Sequence, residues 1–219
     1  NANGLQRHIP KGSRAPAGSS AQGDVTHLND VEPLPDSLAD EYRMFEGGDL
    51  ALSLHHLDLV MVVDPESGRL RWHASHAFVQ QHDVDFLGDG WIGVFDNNRD
   101  GTDRGSLAGG SRIVALQPHD DSTVVLFPTP ASDPFYTPVE GKWQSLGNGN
   151  LLLTESTAGR VVEVTAGGET VWEWAVGAAD EGLVPEVTEG TRYDYSRERV
   201  SSWECPRGDE IGRGSAETS

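Results

Sequence analysis

Two short stretches gather side chains able to do chemistry: "HLND" at residues 27–30 and "QQHDVDF" at residues 80–86. His27 and Asn29 stand two apart, as do Gln80 and His82, and on an extended strand such pairs share a face. A neutral imidazole near pH 7 is a competent nucleophile, base or metal ligand, and an asparagine amide can donate to an anionic oxygen. Asp83 follows His82 directly and points to the other face, so the two do not form a catalytic dyad. His55 and His56 close the run "LALSLHH" and read equally as exposed loop residues. "DNNRDG" offers Asp96, Asn98 and Asp100 in the spacing that opens a calcium loop, but Leu107 stands where such a loop needs its last carboxylate. An Asx-rich turn explains the same residues without an ion. A metal held by His27, His55 and His82 has no supporting carboxylate or cysteine spacing, so the sequence assigns no metal and no cofactor beyond that calcium candidate.

The elements that must position these groups are strands. "VEPL", "LALSL", "LVMVVD" and "RLRWH" form a first set of four; "VDFL", "WIGVFD", "RIVALQ" and "TVVLFP" a second; "WQSL", "LLLTES", "RVVEVT" and "TVWEWA" a third. Gly48, Gly90 and Gly149 precede the second strand of each set, 42 and then 59 residues apart, the longer interval containing the loop "NNRDGTDRGSLAGGS". Four strands per unit at such a period is the signature of propeller blades. The chain therefore reads as all-β, three four-stranded antiparallel blades at about residues 27–75, 76–129 and 130–177. Aligning first strands makes Asn29, His82 and Gly141 equivalent, and first strands line a propeller's channel, so the histidines of adjacent blades should meet at one mouth. Each unit ends in an aromatic, Trp72, Phe127 or Trp172. "SLADEYRMF" at residues 37–45 is the one helix candidate. Residues 1–24 and the tail from Pro206 are poor in large apolar groups and read as flexible; residues 178–219 hold "TRYDYSRERVSSW", a closing strand or docking segment. Three blades do not close a ring, so further blades of a longer chain or other copies are expected as partners.

Composition narrows the function classes. Asp and Glu number 35 against 16 Lys and Arg, a net charge of −19, which argues against nucleic acid or an anionic membrane as partner. Lysine occurs only as Lys11 and Lys142, and this acidity with arginine as main cation points to a salt-adapted organism. The single cysteine, Cys205, excludes an intramolecular disulfide. No apolar run approaches the roughly 20 residues of a membrane helix.

The motifs "HLNDVEPL", "LALSLHHLDLVMVVDPESGRLRW", "QQHDVDFLGDGWIGVFDNN", "SRIVALQ" and "GNGNLLLTESTAGRVVEVTAGGETVWEW" resemble the arylsulfate sulfotransferase family over about residues 25–177. The resemblance implies a six-bladed propeller, of which three blades are here, that moves a sulfuryl group from an aryl sulfate to a phenol without a nucleotide donor. It implies His82 as the nucleophile that becomes sulfated, and His27, with Asn29 and position 55, as groups holding the sulfate. The family commonly has an arginine where this sequence has His55, and its further channel histidine belongs to a blade upstream. An extracytoplasmic or cell-surface location is implied in the same way. Two function classes follow: a transferase on aryl sulfates and phenols, or a propeller of the same descent that binds without catalysing.

Overall fold

The structure, a computed structural model, describes residues 24–177 and 184–203. The lead-in read for residues 1–24, apart from Asp24, and the tail from Pro206 lie outside the described residues, as does Cys205. Twelve strands form three four-stranded sheets, each an antiparallel meander. The first contains β1 (Leu28–Pro33), β2 (Leu50–Leu54), β3 (Leu59–Val63) and β4 (Leu70–Ala74). The second contains β5 (His82–Gly88), β6 (Trp91–Asp96), β7 (Arg112–Gln117) and β8 (Ser122–Phe127). The third contains β9 (Lys142–Ser145), β10 (Leu151–Glu155), β11 (Arg160–Val164) and β12 (Thr170–Ala175). These are propeller-like blades in an all-β chain; among the described residues the one α-helix is α1 (Arg197–Ser201).

The helix expected over residues 37–45 is instead a single 3-10 turn, Ala39–Glu41. Tyr42 and Phe45 leave it to enter the core beside Leu34, and the Tyr42 hydroxyl donates to the Trp91 carbonyl at 2.6 Å while accepting from the Gly88 amide. Tertiary packing thus overrides a weak local preference. Gly48, Gly90 and Gly149 adopt φ of 86°, 78° and 82°, the left-handed backbone that a turn into the second strand needs and that other residues resist.

Pairing registers make the repeat exact in its central strands. Leu54 pairs with Leu59, Asp96 with Arg112, and Glu155 with Arg160. In the second and third sheets this position holds an ion pair, Asp96 with Arg112 and Glu155 with Arg160; in the first, two leucines replace it. The same registers put Trp72 opposite Val62 and Trp172 opposite Glu163, equivalent places on the outer strands. Phe127 does not share that place: it pairs with Ile113 and so corresponds to Ala74 and Trp174. Trp72 is buried, whereas Trp172 and Trp174 stay exposed on β12, with the Arg192 guanidinium 5.7 Å from the Trp172 ring.

Adjacent sheets pack face to face. Val60, Val62 and Trp72 meet Val84, Phe86 and Val94 between the first and second sheets. Phe95, Ile113 and Phe127 meet Trp143, Leu153 and Val162 between the second and third. A carboxylate also ties each blade to the next: Asp30 accepts the Val84 amide at 2.8 Å and Asp83 accepts the Trp143 amide at 2.6 Å. The described part of the C-terminal segment docks on the third sheet and forms no strand there, with Val187 beside Leu146, Leu152 and Val161, and Arg192 bonded to Gln144 and Glu163.

Candidate functional site

At one end of the first two blades four imidazoles form a continuous chain. His56 stacks on His27 at 4.7 Å between ring centroids, His27 meets His55 at 5.2 Å, and His55 meets His82 at 4.8 Å. The backbone brings them together in a defined way. The amides of His55 and His56, just past β2, donate to the carbonyls of His27 and Thr26, just before β1. His82 enters from β5 of the next blade, held by the Asn29 amide, which donates to the Gln81 carbonyl at 2.9 Å. Gln81 is fully buried and donates in turn to Ser53 and to the Leu59 carbonyl. The seam between two blades is therefore also the floor under His82.

The period-two face argument does not carry across this seam. Registers shift at Leu28/Asp30 and at His82/Val84, and His27, Gln80 and Asp83 have φ of 48°, 54° and 42°. Each bulge re-aims the side chains around it. Gln80 consequently faces Arg99, and Asn29 reaches across to Gln81. Asp83 does turn away from His82, toward Lys142 at 2.8 Å and the Trp143 amide.

The partner of His82 is Asn97, with His82 Nδ1 2.6 Å from Asn97 Oδ1. Asn97 is fully buried, and its Nδ2 donates to the carbonyls of Thr137 and Glu140 at 2.8 Å and 2.7 Å. Two carbonyl acceptors fix the amide's orientation, so its oxygen faces the ring and must accept. His82 then carries its proton on Nδ1 and its lone pair on Nε2. Burial lowers the His82 pKa, outweighing the Asn97 hydrogen bond that raises it, so the ring is neutral near pH 7. His55 is more extreme: burial first, and then the neighbouring His82, hold it at about 4. Among the described residues, His55 Nδ1 and Asn29 Oδ1 are buried without a hydrogen-bond partner.

Of the residues singled out by sequence, His27, Asn29, His55 and His82 converge on this seam. Asp96, Asn98 and Asp100 are engaged elsewhere. Asp96 is fully buried and bonds Arg112 and the amides of Val79 and Asn98. Asp100 accepts from Thr102 and from the amides of Leu107 and Ala108, which holds its carboxyl low, at about 2. Asn98 donates to the carbonyls of Ala108 and Gly110, so all three residues brace the long loop. Sequence reasoning passed over Asn97, although it stands within the quoted "QQHDVDFLGDGWIGVFDNN". Nor did it pair Asp24 with His27, three residues on, although His27 Nδ1 lies 2.7 Å from Asp24 Oδ2. Farther along β5, burial pushes the Asp85 carboxyl up, with Asp83 and Glu32 adding to it.

A family model described as arylsulfotransferase matches residues 6–177. No curated protein matches the chain. Among solved structures, a protein of unknown function from Bacteroides caccae is similar at 18% identity over 57% of this chain and 45% of its own, with a TM-score of 0.44. Virginiamycin B lyase from Staphylococcus aureus is 13% identical over 71% of this chain and 43% of its own, TM-score 0.42. Hydrazine synthase from Kuenenia stuttgartiensis is 12% identical over 78% of this chain and 41% of its own, TM-score 0.46. The chain spans less than half the length of each of these.

Proposed function

The chain belongs to the arylsulfotransferase family, and from that membership we propose that it contributes to a transferase that moves a sulfuryl group from an aryl sulfate to a phenol through a sulfated His82. The observation that carries this reading is the hydrogen bond from His82 Nδ1 to Asn97 Oδ1, which leaves the lone pair on Nε2 of a neutral ring. In the first step Nε2 attacks sulfur, the N–S bond forms, the aryl S–O bond breaks and the phenolate leaves. The sulfated ring is then an imidazolium whose Nδ1–H stays on Asn97, a charge-assisted bond stronger than before. In the second step a phenolate acceptor attacks sulfur, the N–S bond breaks and Nε2 regains its lone pair. His27 and Asn29 are assigned to holding the sulfate. The acceptor and donor enter at the channel mouth, and further blades of a longer chain or other copies complete the wall. The acidity is assigned to a high-salt habitat.

A second reading rests on His55. Held at about 4, it is neutral at pH 7 and supplies no positive charge to an anion, which favours a propeller that binds without catalysing. One experiment separates the two. The complete protein is incubated with nitrophenyl sulfate and analysed by intact mass and peptide mapping. A sulfuryl adduct on His82 that a phenol discharges, with ping-pong kinetics and loss of both in His82→Ala, supports the transferase. Turnover that survives His82→Ala, or no adduct at all, removes it.

A further inference from the structure

Beside the reactive seam, Asp24, His27 and His56 each offer one ligand atom, and these atoms lie within 4.8 Å of one another. We propose that this trio is a divalent transition-metal site, best suited to zinc, at the rim of the channel. The ligand types select the ion class: two imidazoles and one carboxylate favour zinc and its borderline neighbours over calcium or magnesium, which take oxygen ligands.

The trio is held in place by main-chain bonds of its own and neighbouring residues. His56 Nδ1 lies 3.2 Å from the Asp24 carbonyl, an atom that only accepts, so Nδ1 carries the proton and Nε2 keeps its lone pair. A backbone carbonyl on one ring nitrogen is the usual support for a histidine that ligates through the other. The main-chain bonds His55 N to His27 O and His56 N to Thr26 O lock the two ligand-bearing segments side by side. His27 sits at φ 48°, a strained backbone for a histidine that turns its ring toward Asp24 and His56. Asp24 at present accepts from His27, both through the amide at 2.6 Å and through Nδ1 at 2.7 Å. A metal replaces the ring proton in that second contact, since the ligating nitrogen must be deprotonated.

Among the described residues the trio has no fourth protein ligand, and zinc with three protein ligands keeps a position for water or an anionic oxygen. The site lies two rings from His82, through His27 and His55, and brings a fixed positive charge to a seam where His55 and His82 are neutral. The proposal stands on these side chains alone and holds whether or not His82 is ever sulfated.

The test uses untagged protein and the metals themselves. Zn²⁺ titrated by calorimetry is expected to bind in one saturable equivalent, and Co²⁺ to give the intense visible absorption of a tetrahedral N/O site. His56→Ala and Asp24→Asn should each weaken binding at least tenfold, while His119→Ala, on the far surface, leaves it unchanged. Asp24→Cys should add a thiolate-to-cobalt charge-transfer band, a direct sign that position 24 is a ligand. Affinity equal in His56→Ala, Asp24→Asn and the native protein, or absence of the charge-transfer band in a protein that still binds Co²⁺, overturns the site.

Discussion

His55 and Asn97 occupy the same position in successive blades, the residue immediately after the second strand. Their partners are exchanged in the same sense, because Asn29 of the first blade corresponds to His82 of the second. One blade thus presents asparagine on its first strand and histidine after its second; the next presents the reverse. The third blade has Gly141 and Ser156 at these places and contributes neither group. A duplicated scaffold has been loaded asymmetrically, and only in the second blade does the asparagine oxygen meet the imidazole, at 2.6 Å.

Asn97 is therefore a positioning residue for His82. On the proposed mechanism, Asn97→Leu is expected to lower the rate of sulfuryl transfer by roughly tenfold or more, because the ring loses the acceptor that fixes its tautomer. The substitution also takes from the Glu140 carbonyl its Asn97 donor and leaves the Thr137 carbonyl with Ser111 Oγ at 3.2 Å, costing about 1–3 kcal/mol of stability. A purely structural role would stop there. The distinguishing measurement is an NMR titration of His82: the Asn97 bond raises its pKa, so the variant's value should fall below the native one. An unchanged His82 titration would count against the positioning role.

Burial of neutral His55 makes stability depend on acid. Its pKa is lowered from 6.5 to about 4 on folding, so between those values the unfolded chain binds the extra proton. Stability contributed by this site is complete above pH 6.5 and is lost as pH falls toward 4. His55→Gln removes the titration. The stability gap between native protein and variant should therefore shift in the variant's favour from pH 7 to pH 4.5, by at most about 1.4 kcal/mol per pH unit. Urea unfolding at several pH values measures it, and parallel profiles for the two proteins would contradict the assignment.

Much of this architecture is legible in the sequence because glycines, apolar strands and turn residues repeat with the blade. The twelve strands fall on the expected stretches, and His27, Asn29, His55 and His82 converge although 55 residues separate the first from the last. The rest is hidden for identifiable reasons. Bulges at the starts of β1 and β5 break the alternation that would predict side-chain direction. Asn97 is oriented toward His82 by carbonyls of Thr137 and Glu140, some forty residues away, a relation no local pattern carries. Phe127 mimics the terminal tryptophans in spacing, and only the pairing register separates them. The metal trio needs the chain just before β1 to lie against the turn after β2.

Asp83 and Lys142 form an ion pair between the second and third blades. Asp83 is 6% exposed; burial raises its carboxyl, and Lys142 at 2.8 Å opposes that rise. Lys142→Met leaves the carboxylate buried without its cation and should cost about 1–3 kcal/mol, less than for a fully buried pair because the Lys142 side chain is one-third exposed. Adding Asp83→Asn removes the charge while an amide oxygen still accepts from Trp143, so the double variant should regain most of the loss. Equal instability of single and double variants in urea would mean that packing, not charge, sets the cost.

The net charge of −19 acts on the molecule as a whole. Carboxylates outnumber cations more than twofold, and like charges within a Debye length of about 8 Å at physiological ionic strength repel. The repulsion is greatest in the compact state, so screening favours folding. Raising salt to the molar range, where the Debye length is about 3 Å, should raise the midpoint of thermal unfolding. Potassium chloride and sodium chloride are the salts to use, since sulfate also strengthens apolar burial and would mimic the effect. A midpoint that is flat from low to molar chloride would sever the acidic composition from any adaptation to salt.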